Sequence, residues 1–285
     1  MRIAVTGGSG KLGRHVVGRL RSRGHDVVNL DLHGERWTGW IHVDIADYGQ
    51  VVDALGGIQG EHPTAEAVVH LAAIPAPGLR PDAATFANNM VGTFHVLHAA
   101  IGLGITKVVL ASSETVLGLP FDVPPPYLPV DEDYAARPES VYSLGKHLEE
   151  TMAVELCRWH PDLSVTALRF SNVMDPEDYD AFPSFDADPM QRKWNLWSYI
   201  DGRDGALAVE RSLEHTSPGF ERFVIASPDT VMNRSSADLA AEVFPGVEVR
   251  KELGEHETLL SIDKARRVLR YDPRHSWRDE VRPTL

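Results

Sequence analysis

Three side chains have the types and spacing to move a proton at a carbinol oxygen. Tyr142 and Lys146 form a Tyr-x-x-x-Lys pair, and Ser113 stands 29 residues before the tyrosine. On a helix, residues four apart share a face, so the ammonium lies beside the phenol. Its charge favours the phenolate and predicts a phenol pKa below the usual value of about 10. A tyrosine tuned in that way takes a proton from an alcohol, or returns one to a ketone, near neutral pH. Ser113 can hydrogen-bond the same oxygen. Taken singly these signals are weak, because a surface helix produces the pair by chance and Ser112-Ser113 suits any strand-to-loop transition.

Residues 5–13, Val-Thr-Gly-Gly-Ser-Gly-Lys-Leu-Gly, make the combination specific. They follow a short β-branched run from Arg2 and precede Leu12, Val16, Val17 and Leu20 at helical spacing, closed by Gly24. Strand, glycine turn and helix in that order bring backbone close to a pyrophosphate and aim free N–H groups at it. A second strand, Val27–Leu30, ends in Asp31, 18 residues past Gly13, where the ribose hydroxyls of a dinucleotide are held. An acid there repels a 2′-phosphate and predicts NAD over NADP, with His33 and Arg36 as the cations that could soften the preference. Lys146 can also reach the nicotinamide ribose.

The elements that must position these groups alternate through residue 172. Strands are expected at Arg2–Val5, Val27–Leu30, Trp40–Val43, Ala67–Leu71, Lys107–Ala111 and Val165–Phe170. Helices are expected near 12–22, 48–55, 83–103 and 140–158. Such alternation specifies a doubly wound α/β fold of Rossmann type, a parallel sheet covered on both faces. Residues 1–172 are read as the NAD-binding part. Residues 173–285 are read as a smaller lobe, not independently folding, packed over the C-terminal edge of the sheet. That lobe opens with a Pro/Asp-rich stretch, Asp175–Pro189. A helix at 204–214, a strand at Phe223–Ala226, a helix near Ser235, a strand at Val247–Arg250 and a helix at 262–270 follow.

The chain has 285 residues, 43% hydrophobic and 24% charged, with a formal net charge of −13. That balance suits a soluble globular protein and argues against nucleic-acid or anionic-membrane partners. No run approaches the roughly 18 apolar residues of a membrane helix. The single cysteine, Cys157, excludes an intramolecular disulfide and fits a reducing cytoplasm. The 13 histidines form no metal cluster, so no metal is expected.

With these residues in hand, the chain resembles the extended short-chain dehydrogenase/reductase superfamily, in particular its NAD-dependent epimerase/dehydratase branch. Thr6-Gly7-Gly8-Ser9-Gly10-Lys11-Leu12-Gly13 matches the TGxxGxxG turn. The resemblance implies that Asp44-Ile45 holds adenine and that the segment after His70, Leu71-Ala72-Ala73, lines the cofactor. Asn89, in Asn88-Asn89-Met90-Val91-Gly92-Thr93, matches the N-x-x-G-T helix entry. Ser112-Ser113-Glu114-Thr115 matches the serine strand, and Tyr142-Ser143-Leu144-Gly145-Lys146 matches YxxxK. In Leu168-Arg169-Phe170-Ser171-Asn172-Val173 the resemblance implies that Phe170 flanks the nicotinamide and Asn172 faces substrate, alongside Ser112, Ser113 and Glu114. Lys264-Ala265 through Tyr271-Asp272-Pro273 resembles the family's C-terminal motif.

The departures bear on substrate. Dehydratases carry two acids after the catalytic hydroxyl, and here stand Glu114 and Thr115, which disfavours dehydration. Nucleotide-sugar epimerases usually grip the diphosphate with an arginine, and here that position is Trp197 in Trp197-Ser198-Tyr199-Ile200. Arg192, five residues before Trp197, resembles the carboxylate grip of uronate dehydrogenases. The alternative for Arg192 is a solvated cation beside Lys193. Trp194 and Trp197 are either sugar-stacking or packing residues. Three functions therefore stay open. The first reading is an NAD-dependent dehydrogenase of a sugar or sugar acid. The others are an NAD-dependent nucleotide-sugar epimerase, and a non-catalytic NAD-binding regulator. The resemblance also implies a homodimer through helices 88–103 and 140–158, the second with an apolar stripe of Val141, Leu144, Leu148, Met152 and Leu156. Asp175–Pro189 is read as a lid that brings Arg192 over the site.

Overall fold

The computed structural model describes residues 1–35, 39–57 and 63–281. Its centre is a seven-stranded sheet in which every pairing is parallel. In chain order the strands are β1 (Arg2–Thr6), β2 (Asp26–Asp31), β3 (Trp40–His42), β4 (Ala67–His70), β5 (Lys107–Ser113), β7 (Ser164–Phe170) and β10 (Gly219–Ile225). Their spatial order is β10-β7-β5-β4-β1-β2-β3. The chain reverses direction between β1 and β4, and ligands bind in the crevice at such a switch point.

Period-two alternation divides the core into two halves. Ile3 and Val5 of β1 pack with Val16 and Leu20 of α1 (Lys11–Ser22) and with Ala206 and Val209 of α5 (Gly202–Glu214). Ala4, between them, faces the other side with Leu55 of α2 (Tyr48–Gly56), Leu97 of α3 (Asp82–Gly102) and Leu156 of α4 (Val141–Trp159). The α/β expectation and the order of elements in the first half therefore hold. Cys157 is buried and free in that second half of the core.

The later part of the chain is shared between the main sheet and the small lobe expected over its carboxyl edge. Its strand near 223 is β10, which pairs along its whole length with β7 and so extends the main sheet. Helix α5 packs on α1 as a layer of the same sheet. What remains over the carboxyl edge is made of short pieces. β8 (Val173–Met174) pairs β9 (Ile200–Asp201), and β11 (Glu248–Val249) pairs β6 (Tyr127–Leu128). Of the remaining helices, α6 (Ser236–Val243) packs on the turn at Pro189–Gln191, α7 (Asp263–Leu269) on β10 and α5, and α8 (Trp277–Glu280) on the Pro176–Ala187 turns. The Pro/Asp-rich stretch forms tight 3-10 turns over Pro176–Ala187, with Tyr179 and Phe182 fully buried. Arg14 and His15 of α1 both pair with Asp175, and Lys11 pairs with Asp178. The stretch is thus a strap bonded to α1 and anchored by aromatic side chains. It is packed structure, where the sequence suggested a free lid.

Among the described residues, no helix is long and apolar enough to cross a membrane.

Candidate active site

The glycine turn forms because only glycine fits. Gly7 has φ +71°, and a Cβ there would lie 2.6 Å from the backbone nitrogen of Ala72. A Cβ on Gly13 would lie 2.1 Å from the carbonyl of Gly7. The turn delivers the chain to α1, whose N-cap, Gly10, offers no side-chain acceptor to the first-turn N–H groups. Asp31, at the end of β2, accepts from the Ser9 amide at 3.0 Å. Its carboxylate is therefore fixed beside the turn.

These groups open onto a cleft of about 1070 Å³ along the carboxyl edge of the sheet. Its walls carry Gly7, Gly10, Lys11, Leu12, Gly13, Asp31, His33, Asp44, Ile45, Leu71, Ala72 and Ala73 at one end, with Phe170 farther along as the register partner of Ser113. Ser112, Ser113, Glu114, Tyr142, Lys146 and Asn172 stand at the other. Two expected site residues are not on the walls, Asn89 and Arg192. The Asn89 side chain accepts from the Ile74 amide at 2.8 Å and donates to its carbonyl at 3.0 Å, so it holds the 71–77 segment from behind. His70 is likewise behind the wall, between the Thr6 and Thr93 hydroxyls. Burial holds its pKa down to about 3, so it is a neutral spacer and carries no proton near neutral pH. Arg36 lies outside the described residues.

The donor set fits NAD. An uncapped helix N-terminus and a glycine cradle suit the pyrophosphate, Asp31 suits unphosphorylated ribose, and Asp44 and Ile45 line the same cleft.

The proton-moving groups come from two elements. Strand β5 runs two residues past its expected end, so Ser112 and Ser113 are its last residues. The Ser113 hydroxyl oxygen accepts from the Thr115 amide at 3.2 Å and from its hydroxyl at 3.0 Å. That leaves the Ser113 O–H as a donor toward the cleft. Ser112 is committed to structure, donating to Glu150, which is also paired with Arg169. Helix α4 begins with a reciprocal Ser140/Ser143 cap, which places Tyr142 in its first turn and Lys146 one turn on.

The electrostatics correct one expectation. Burial raises the Tyr142 phenol above its ordinary value; Lys146 and Ser113 oppose this and do not outweigh it. Part of the reason is Glu149, which lies outside the YxxxK motif. Lys146 Nζ donates to Glu149 Oε2 at 2.8 Å and to the Ala111 carbonyl at 2.9 Å. Burial opposes the ammonium, but Glu149 first, then Tyr142 and Glu150, hold it charged and raise its pKa. A sequence signal for this contact exists, since three residues separate Lys146 and Glu149 and that spacing shares a helix face.

Past Ser113 the cleft is lined by Glu114, Thr115, Leu119, Pro120, Ser171, Asn172 and Trp194. Trp197 is fully buried, with its indole N–H donated to the Pro189 carbonyl, and serves packing. Trp194, for which stacking and packing both stood open, does line the cleft. Arg192 is 7% exposed, so it is not a solvated surface cation. It lies against the faces of Phe185 and Trp194 and donates to the Ser198 carbonyl at 3.2 Å. Among the described residues no group of three or more metal-ligating side chains is found.

Residues 3–194 match the model of the NAD dependent epimerase/dehydratase family. UDP-glucose 4-epimerase of Erwinia amylovora is 30% identical over 188 residues, 60% of this chain and 53% of that one. The chain thus spans about half the length of that relative. UDP-glucose 4-epimerase of Rhizobium leguminosarum bv. trifolii is 25% identical over 317 aligned positions, covering 98% of this chain and 95% of that one. A crystal structure of UDP-galactose 4-epimerase superposes with a TM-score of 0.69 at 27% identity, over 98% and 96% of the two chains. A UDP-glucose 4-epimerase of Thermus thermophilus, solved with NAD, shares the fold with a TM-score of 0.70 at 21% identity, over 97% and 95%. The glycine cradle, the acid after β2 and the Ser–Tyr–Lys group, together with the family match over two thirds of the chain, lead to one assignment: this chain belongs to the NAD-dependent epimerase/dehydratase family.

Proposed function

We propose that the chain oxidises a secondary hydroxyl of a sugar and returns the hydride to the same carbon, as an epimerase of a nucleotide-linked sugar. The carrying observation is the convergence of Ser113, Tyr142 and Lys146 on one wall of an NAD-shaped cleft. The relatives' names, UDP-glucose 4-epimerase, favour return of the hydride over net oxidation. They move the weight from the sugar-acid dehydrogenase reading to the epimerase reading. Bound in this cleft, NAD would supply a reversible hydride acceptor, and inversion would require return of the hydride to the opposite face of the same carbon. Ser113 Oγ donates to the substrate oxygen and orients it. Tyr142 Oη takes the hydroxyl proton as the ketone forms and restores it as the alcohol re-forms. Lys146 Nζ, held charged by Glu149, stabilises the phenolate form of Tyr142 that accepts this proton.

A second reading, net oxidation of a free sugar, is favoured by one observation. The position where the resemblance expects a diphosphate-gripping arginine holds the buried Trp197. One assay separates the two. UDP-glucose or UDP-galactose is incubated with the NAD-loaded protein while absorbance at the NADH band and sugar products are followed. An epimerase interconverts the sugars with flat absorbance; a dehydrogenase accumulates NADH. NAD binding with neither outcome on any sugar removes both readings.

We also propose a homodimer through α3 and α4. Val91, Phe94, Leu144 and Val154 are exposed apolar residues on those helices, whereas Leu156 of the expected stripe is in the core. A monomeric mass by solution scattering at micromolar concentration rejects it.

A further inference from the structure

The sugar end of the cleft holds a buried carboxylate and, among the described wall residues, no cation without an acidic partner. Glu114 is 3% exposed, directly follows Ser113 and lines the cleft. Its Oε1 accepts from Asn195 Nδ2 at 3.3 Å, and its Oε2 has no partner. Ser171 is close enough to bond the carboxylate, and behind the wall Asn195 Oδ1 and Arg192 Nε are further buried polar atoms without partners. An unpaired buried acceptor costs about 1–3 kcal/mol, so the open oxygen of this wall carboxylate calls for a donor from a ligand in the cleft. What that ligand presents follows from the charges. The lysines on the walls, Lys11 and Lys146, are paired with Asp178 and Glu149. Arg192 is off the wall, and it shares the Ser198 carbonyl with Asn195, which donates to Glu114.

We propose that Glu114 determines specificity at this end, accepting a hydrogen bond from an uncharged hydroxyl of the substrate, with Arg192 a positioning residue that acts only through Glu114. The substrate group beside Glu114 is then a neutral polyol carbon and not a carboxylate. The inference rests on the sugar-oxidising reading of the cleft and goes beyond it by fixing the charge class of the ring. It also replaces the role of Arg192 as a carboxylate anchor, because an anion at this end would face Glu114 before it reached the guanidinium. Burial raises the Glu114 pKa to about 7, opposed by Ser171, Asn195 and Arg192. The charged or titratable neighbours facing Glu114 are Arg192 and Tyr142.

The test uses matched pairs on the NAD-loaded protein: UDP-glucose against UDP-glucuronate, and glucose against glucuronate. Wild type should favour the neutral member of the productive pair at least about 10-fold in kcat/KM, the scale of one unpaired or repelled buried charge. Glu114→Gln, which keeps shape and removes charge, should shrink that ratio to within about 3-fold, chiefly through KM. Neutral-sugar binding should strengthen as pH rises through about 7. Arg192→Met should move that midpoint upward and Arg192→Lys should restore it, which a merely structural arginine does not do. A uronate used as well as its neutral partner overturns the inference and leaves the oxidoreductase reading standing. So does an unchanged ratio in Glu114→Gln, or an unchanged midpoint in Arg192→Met. If NAD binds but no member of either pair reacts, the sugar reading itself falls, and the inference with it.

Discussion

The two ends of the cleft are built on opposite principles. The cofactor end is made of backbone: glycine turn, uncapped helix start and a strand-end acid whose carboxylate is fixed by amides. It leaves little to side-chain choice. The other end, where the substrate is proposed to bind, is made of side chains, among them the buried Glu114, one of whose carboxylate oxygens has no partner. A backbone site is set by the turn and changes only when the turn does. A side-chain site can be retuned by single substitutions, and its unsatisfied atoms lower stability until a ligand arrives.

Mutations at the two ends should therefore fail in different ways. The largest effect is expected for Tyr142→Phe, which removes the transferable proton and keeps the ring. Turnover should drop at least about 100-fold with NAD affinity unchanged by titration calorimetry. Near-normal turnover would mean that another group is the base. Next, Glu114→Gln should stabilise the protein at alkaline pH. A folded-state pKa of about 7, above the ordinary 4.5, means the folded chain holds this proton longer than the unfolded one. Stability is then lost as pH climbs from about 4.5 through about 7. Removing the charge should recover about 3 kcal/mol at pH 8 and nothing near pH 4, read from urea midpoints. An equal gain at both pH values would contradict the assignment.

At the cofactor end, Asp31→Ala should narrow the NAD-over-NADP preference about 10-fold, the scale of a lost charged hydrogen bond, with kcat on NAD little changed. An NADP preference already present in wild type would break the reading of Asp31. The smallest shift, about one pH unit, is expected for Glu149→Gln. That change withdraws a negative charge beside Lys146 and Tyr142. The limb of the pH–rate profile set by the tyrosine should move acidward. An unmoved limb would reduce Glu149 to packing.

How much was legible follows the same division. The TGxxGxxG turn, Asp31 and YxxxK each demand fixed residue types at fixed spacing, so strand, helix and the shared helix face of Tyr142 and Lys146 could be read directly. The expected fall in the Tyr142 pKa failed because burial and a third residue, Glu149, also act, and neither is visible in a two-residue motif. Arg192 was misplaced because its five-residue spacing from Trp197 says nothing about which way a tight 3-10 turn points a side chain. The carboxylate that feels its charge, Glu114, is remote in sequence and comes near only in the fold. Strand β10 was legible as a strand, yet its partner β7 lies far back in the chain, with Gly219 set against Ser164 and Ile225 against Phe170. Pairing at such range leaves no periodic trace.

That last strand has a practical consequence for anyone building hybrids from this chain. Residue 172 looks like a natural splice point between a cofactor module and a substrate module. A cut there would strip β10 from β7 and expose a long, apolar, hydrogen-bond-hungry edge, an invitation to aggregation. It would also remove α5 from its place against α1. The unit that can be exchanged to alter selectivity is therefore discontinuous. It comprises 173–201 and the stretch after 225, grafted around a retained 202–225 that travels with the first half of the chain.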